Sequence, residues 1–479
     1  MLPAPSEGSY SHHGPPLPLP SPHDRPRRLS TKHKPPATKV ASSYIPRQQK
    51  VKVSRRKGPL DVQNRKKASN MRKHKCDEGH PCQRCLKSFE NARSFLEPCF
   101  RDHIQDTSLV RRCNGRCNQV EADFLKYVWQ EDDGIFSMEI IWCLPGTSDP
   151  IPMKEPLRIR CREFFLPEAD SNSIKFEWVN TDGQLINIKQ PPYAIFDTAA
   201  LQADVDAYFC SNLHSMEQWI FQRICRDELA LLTYREAWRL RDNGLLGNNI
   251  LDLTLRLQCL SIMSQGYGTV CSSNIPGISE IDFKALGHSE YEAYDRDSRH
   301  RPLPAAINHQ MDVAFVKILR RLEKECHKVL TQRVFKPKIK PWYELFLTFF
   351  VLYWNLEYIH QGADKYIRSK SGTSTQIHVS SVVKQQIKKW DDTFDIILRY
   401  WRTLLRTFVP FKVARENPED LRTKGHLPDI ESFNYMMQVV AIFDRQGVDR
   451  HAPPLTGTSS SQFSTNSKWI TALFKEGGA

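Results

Sequence analysis

The chain has 479 residues, and its 40% hydrophobic content suffices for a sizeable core and for two or three domains. Its formal charge of +14 and pI near 9.1 favour polyanionic partners, but the excess is local: residues 1–101 carry 22 Lys or Arg against 7 Asp or Glu, and the remainder carries 46 against 47. The longest uncharged apolar stretch is 12 residues, Leu345 to Leu356, between Glu344 and Glu357. A membrane span needs about 20, so a buried helix is expected and no membrane partner.

In chain order, residues 1–54 are rich in Pro, Ser, His and basic residues, with almost no aliphatic periodicity. Such a segment cannot bury enough apolar surface to order itself and reads as a disordered basic arm. Its start, Met1-Leu2-Pro3-Ala4-Pro5, lacks a charged beginning and an apolar run, so no secretory leader is expected. Two basic clusters follow, Arg55, Arg56 and Lys57, then Arg65, Lys66 and Lys67, separated by seven residues. That spacing reads as a bipartite nuclear import signal.

Residues 55–117 contain six of the 13 cysteines: Cys76, Cys82, Cys85, Cys99, Cys113 and Cys117. Clustered thiols without a secretory leader point to metal rather than to disulfides. Cys82 and Cys85, two residues apart, can grip one tetrahedral ion from a tight turn, and Cys76 and Cys99 complete the four ligands structural zinc prefers. His74, His80 and His103 read as solvated side chains on polar loops.

The run Lys75-Cys76-Asp77-Glu78-Gly79-His80-Pro81-Cys82-Gln83-Arg84-Cys85 resembles the second half of the fungal zinc-cluster DNA-binding domain. In that family six cysteines hold two zinc ions. The resemblance makes Cys76, Cys82, Cys85 and Cys99 the third to sixth cysteines, and it covers roughly residues 55–101. The positions of the first two hold Lys66 and Ser69, neither of which replaces a thiolate, so the cluster is incomplete. Loss of about ten residues before Cys76, or substitution in place, would each produce this pattern. The resemblance implies a zinc-dependent, DNA-binding regulator of RNA polymerase II promoters, located in the nucleus. Its closest equivalents to the family's basic recognition segment are Arg72, Lys73 and Lys75, with Arg84 and Lys87 nearby. Because the recognition helix is truncated, the binding expected is dominated by phosphate contacts.

Beyond the cysteines, a helical stretch is expected at about 118–130, within a mixed segment 118–196 that holds a small antiparallel sheet. Leu157 to Arg162 alternates with period two. So do Ile174, Phe176 and Trp178, and a turn at Asp182-Gly183 leads to Ile186 and Ile188. Residues 197–447 read as an α-helical regulatory body. One helical face carries Ile307, Met311, Phe315, Ile318, Leu322, Cys326 and Val329. Another carries Val383, Ile387, Trp390, Phe394, Ile397, Trp401, Leu404 and Phe408, with Pro410 closing it. Residues 364–376 separate helices, and the Pro/Ser/Thr-rich 448–479 reads as a loose tail. The fold class expected is therefore mostly α with a minor antiparallel β element.

No Gly-rich phosphate loop, Gly-x-Ser-x-Gly elbow or His-Glu-x-x-His helix occurs, so no enzyme is expected. Partners implied are double-stranded DNA and protein co-regulators. No heptad run supports dimerisation. The alternative reading is a regulatory interaction protein that acts through its helical body without touching DNA.

Overall fold

The computed structural model describes residues 68–69, 74–75, 83, 102–112, 124–130, 134–145, 155–166, 175–224, 227–244, 250–287, 299–335, 341–405, 408–446 and 468–479. All belong to the unit Gly58–Ala479, and the expected disordered arm lies outside them. The fold is mostly α-helical with a small antiparallel sheet, as expected.

Upstream, the two-residue strands β1 (Ala68–Ser69) and β2 (His74–Lys75) pair antiparallel, Ala68 opposite Lys75 and Ser69 opposite His74. The main sheet is built from β3 (Phe136–Cys143), β4 (Leu157–Glu163), β7 (Tyr193–Ile195) and β8 (Tyr267–Val270), in the order β7-β4-β3-β8, every pair antiparallel. Period-two patterning sets its faces. Leu157, Ile159 and Cys161 point inward while Arg158 and Arg160 face out, and Met138 and Ile140 lie opposite Ile159 and Leu157. A separate hairpin, β5 (Lys175–Val179) and β6 (Leu185–Lys189), pairs Phe176 with Ile188 and Trp178 with Ile186. It turns at Asp182-Gly183: Gly183 adopts φ +80°, and Asn180 Oδ1 accepts from the amides of Asp182 and Gln184. Short β9 (Ile281–Asp282) and β10 (Arg299–His300) pair beside it.

The helices are α1 (Thr198–Ser211), α2 (Leu213–Ile224), α3 (Glu228–Asp242), α4 (Ile250–Met263), the short α5 (Phe283–Leu286), α6 (Ala305–Phe335), α7 (Trp342–Ser369) and α8 (Gln376–Leu404). After them come α9 (Pro410–Glu416), α10 (Pro418–Lys424), α11 (Ile430–Gln446) and α12 (Lys468–Glu476). Asp197 and Asp227 cap α1 and α3 through the amides of Ala199 and Ala230. Trp142 fastens the sheet to this layer: its ring meets Phe209 and Phe315, and its Nε1 donates to the Met263 carbonyl at 2.7 Å.

Helix α7 occupies the centre. Every residue from Trp342 to Glu357 is buried, and α3, α4, α8 and α12 surround it. The expected faces of α6 and α8 are the buried ones, except that Val329, Ile387 and Phe408 are partly buried. No helix among the described residues is long and apolar enough to cross a membrane. A polar clamp closes the far side. Arg239 bridges Glu236 and Asp429 at 2.7 and 2.6 Å, and Glu236 also accepts from Tyr343 and Ser432. The Arg239 hydrogen bond holds the Asp429 carboxyl down to about 2.

Four local expectations differ from what is seen, the first being the separation expected at 364–376, which is shorter because α7 runs to Ser369 and α8 starts at Gln376. The described residues 124–130 are not helical: Trp129 bridges to Phe164, and Phe165 donates its amide to the Val128 carbonyl, so pairing with the end of β4 prevails over helical spacing. Pro410 does not close α8, which ends at Leu404; it opens α9, where a missing N–H costs nothing. Residues 468–479 are not a loose tail: α12 is docked, with Ile470, Leu473 and Phe474 buried and the Trp401 indole donating to the Leu473 carbonyl at 2.9 Å. Its apolar face outweighs the Pro/Ser/Thr-rich composition upstream, which lies outside the described residues.

Phe474 packs its ring against Phe346, Phe350, Phe411 and Phe443 and is fully buried. Phe474→Ala should therefore cost about 3–5 kcal/mol, read as a lower denaturation midpoint with an unchanged m-value. A loss below about 1 kcal/mol would mean that α12 does not close the core.

Candidate functional site

Cys76, Cys82, Cys85 and Cys99 lie outside the described residues, as do Arg72, Lys73, Arg84 and Lys87 and the import residues Arg55, Arg56, Lys57, Arg65, Lys66 and Lys67. Of these candidates Lys75 alone is placed, by its backbone, on β2. Among the described residues no group of three or more His, Cys, Asp or Glu could hold a metal ion. The described cysteines, Cys143, Cys161, Cys210, Cys259, Cys271 and Cys326, are free thiols, and burial pushes Cys259 up to about 12.

The structure brings together a different set of residues. The described stretch Asp102 to Arg112, which lies between Cys99 and Cys113 in the sequence, rests on the body as a strap. The strap begins with one 3-10 turn, Ile104–Asp106, and then runs extended between α6 and α8 with α7 beneath it. Asp102 meets Arg399 and Tyr400, whereas Arg112 meets Gln386, thirteen residues earlier on α8. The strap thus runs antiparallel to α8 for about 20 Å.

Side chains of the body capture its backbone almost group by group. Ser108 donates its amide to Thr393 Oγ1 at 2.8 Å, Leu109 to Glu323 Oε1 at 2.7 Å, and Arg112 to Gln386 Oε1 at 2.9 Å. In return, Asn355 donates to the Leu109 carbonyl at 2.8 Å, and Tyr400 to the Asp102 carbonyl at 2.9 Å. An extended segment without a strand partner must be satisfied in some such way when buried. Leu109 and Val110 have 0% exposure, which contributes roughly 1.5–3 kcal/mol for each side chain.

Charge is matched along the same groove. Arg111 pairs with Asp312, the two side chains 11% and 12% exposed, and donates to the Ser264 hydroxyl and carbonyl at 2.9 and 2.8 Å. Arg112 reaches Glu323 at 3.2 Å. Burial raises the pKa of Glu323, against the opposing pull of Arg112 and of the Leu109 amide. His327, also buried, lies 2.9 Å from Thr107 Oγ1. Since the Thr107 hydroxyl donates to the Ile104 carbonyl, the tautomer that fits carries its proton on His327 Nε2. Desolvation, aided by Arg112, pushes His327 down to about 4.

Sequence reasoning did not find this site, because its parts are up to about three hundred residues apart. The available signals were an apolar pair, Leu109-Val110, followed by two arginines, and a single amide, Asn355, inside the apolar run of α7.

A family model described as KpeA transcription factor matches residues 151–464. The chain is 25% identical over 399 residues to the satratoxin biosynthesis SC3 cluster transcription factor SAT20 of Stachybotrys chartarum (strain CBS 109288 / IBT 7711), which covers 80% of this chain and 53% of that protein. The chain thus spans about half the length of that curated relative. No solved structure matches.

The buried histidine carries a pH dependence. The folded pKa of His327 lies below the unfolded value of about 6.5, so its contribution is fully present above that pH. As pH falls from about 6.5 towards 4 the unfolded chain takes up a proton that the folded chain refuses, and about 3 kcal/mol is lost. His327→Gln keeps a donor for Thr107 without a titrating ring. Melting temperature against pH should fall less for this variant than for the parent over that window; parallel curves would show that His327 does not titrate on unfolding.

Proposed function

The chain belongs to the KpeA transcription factor family, and from that premise we propose that it is a nuclear, zinc-dependent, DNA-binding regulator of RNA polymerase II promoters. The observation that carries this reading is the pairing of a regulator-family body with a cysteine-rich basic segment of zinc-cluster type, joined by a strap anchored in the body. The relative's name ties it to one biosynthetic gene cluster, and promoters of a clustered gene set are the targets proposed here.

The donor set fits one zinc ion. Cys76, Cys82, Cys85 and Cys99 supply four thiolates, the number that a structural tetrahedral site takes, whereas Lys66 and Ser69 leave a second site without its thiolates. The first half of the module is therefore without its thiolates, and Arg72, Lys73, Lys75, Arg84 and Lys87 contact phosphates and hold the protein on the duplex with little base reading. Arg55, Arg56, Lys57, Arg65, Lys66 and Lys67 direct nuclear import.

A second reading is favoured by one observation. The family match begins at residue 151, downstream of every cysteine in the cluster, so what this chain shares with the family is the body. On that reading the protein regulates through protein partners and does not touch DNA.

Elemental analysis of the purified full chain, with duplex binding measured over a salt series, separates the two. One zinc per chain is expected, lost in Cys82→Ser. Affinity should fall with salt at about 0.9 log units per log unit of salt for each phosphate neutralised. A chain with no zinc and no duplex binding would leave the partner-only reading standing.

A further inference from the structure

We propose that the helical body autoinhibits the cysteine-rich segment: it sequesters the strap Asp102–Arg112, with Asp312 and Glu323 holding Arg111 and Arg112 away from nucleic acid. The proposal rests on the DNA-binding reading above and adds a control device to it.

Position is the first argument. The cysteine-rich stretch does not stop at Cys99. It resumes directly after the strap as Cys113-Asn114-Gly115-Arg116-Cys117, so Arg111 and Arg112 belong to a basic run flanked on both sides by cysteines. Arginines in such a run are the side chains that would meet phosphate. In the docked strap they cannot. Arg111 is turned inward onto Asp312 and Ser264, and Arg112 onto Glu323. The two carboxylates occupy the place that phosphate oxygens would take, in a groove from which the duplex is excluded by α6 and α8.

The manner of attachment is the second. Apart from its own 3-10 turn, six backbone groups of the strap are hydrogen-bonded by side chains of the body, those of Thr393, Glu323, Gln386, Asn355, Trp390 and Tyr400. None belongs to a helix or a sheet ladder. The strap can therefore leave as a unit without unzipping any element of the body. What it leaves behind is a groove whose polar groups, Glu323, Gln386, Asn355, His327 and Asp312, water can satisfy, together with the apolar surface that Leu109 and Val110 had covered. A segment whose backbone is held by side chains, and which bears the charges its own module needs, has the construction of a releasable internal ligand.

Release returns two cations to the cysteine-rich segment, and this has a quantitative signature. Each additional phosphate neutralised steepens the slope of log affinity against log salt by about 0.9. A chain with its strap released should therefore bind duplex DNA more tightly at low salt, with a slope steeper by about one to two.

The test uses three full-length chains: the parent, Asp312→Asn/Glu323→Gln, and the same pair combined with Arg111→Gln/Arg112→Gln. The amide and carbonyl replacements keep shape and the acceptor for the Leu109 amide while removing the charges that hold the arginines. In the parent, strap amides are expected to exchange with solvent at least tenfold faster than those of α7. In Asp312→Asn/Glu323→Gln, tryptic cleavage after Arg111 and Arg112 should accelerate at least tenfold with the helical circular dichroism retained. The duplex affinity should rise several-fold with the steeper salt slope, and Arg111→Gln/Arg112→Gln should cancel that gain. Strap amides that exchange only together with α7, or cleavage unchanged between parent and variant, would overturn the proposal by making the strap a fixed part of the core. A gain in affinity that survives neutralising the arginines would overturn the inhibitory role while leaving release intact. If none of the three chains binds duplex DNA, the DNA-binding reading fails, whereas exchange and cleavage still report whether the strap is released.

Discussion

A helix that is apolar on every side cannot face water, and α7 is such a helix. From Leu345 to Leu356 it offers Leu, Phe, Val, Tyr and Trp in all directions, with Thr348 and Asn355 as its polar residues, both fully buried. Its sequence fixes little by propensity, because aromatic and β-branched residues are mediocre helix formers. It stands because it is wrapped. The wrapping comes from remote parts of the chain: α4 from residues 250–263, α8 from 376–404, α12 from 468–476 and the strap from 102–112. This requirement explains why the fold closes across such sequence distances, and why a short helix at the far end of the chain becomes core.

Asn355 shows how the wrapping becomes specific. A buried amide in an apolar helix costs free energy unless it finds a partner, and its Nδ2 finds the Leu109 carbonyl. The same logic repeats on α6, where Asp312, Glu323 and His327 follow at intervals of eleven and four residues. Both intervals return to nearly the same side of a helix, so the three side chains share one face. Carboxylates on a face that packs inward are costly unless paired, and the partners are Arg111, Arg112 and the Leu109 amide. Groove and strap thus specify each other: either alone would leave desolvated charge.

The periodic parts of the structure were legible in the sequence. The alternation of Leu157, Ile159 and Cys161 placed β4, the Asp182-Gly183 turn placed the β5–β6 hairpin, and the stripes on α6 and α8 are the buried faces of those helices. Signals spread over ten or more residues survive their surroundings because each position repeats the same instruction. The strap has no such repetition. Eleven residues with no period are ordered by side chains more than two hundred positions away, and no local rule encodes that. Residues 124–130 failed for a related reason, since a single pairing of Trp129 with Phe164 decides their conformation. At the C-terminus, the flanking Pro/Ser/Thr composition concealed Trp469, Ile470, Leu473 and Phe474, which a nine-residue window would have isolated. The cysteines proposed as ligands and the basic residues proposed as contacts, apart from the backbone of Lys75, lie outside the described residues and rest on motif and spacing.

The family match has a structural consequence of its own. Residues 151–464 include the groove wall (Asp312, Glu323, His327, Asn355, Gln386 and Thr393) but not the strap that fills it. In this chain the part that the family model matches holds a polar, acidic groove between α6 and α8, and the groove is filled by the segment next to the cysteine cluster. That arrangement joins two regions that a flexible linker would have left independent. Any ligand or partner that shifts α6 relative to α8 must change the affinity of the groove for the strap. By reciprocity, anything that draws the cysteine-rich segment away must change the affinity of the body for that ligand by the same factor. The size of such coupling is bounded by what the strap gains on docking: two fully buried apolar side chains, two ion pairs and a set of backbone hydrogen bonds to side chains. Because both ion pairs are largely removed from water, salt would screen them less than it screens the contacts of exposed arginines with phosphate. If the chain binds DNA as proposed, rising ionic strength would then favour the docked strap over one paired with phosphate, so the term that weakens such binding would also reinforce docking.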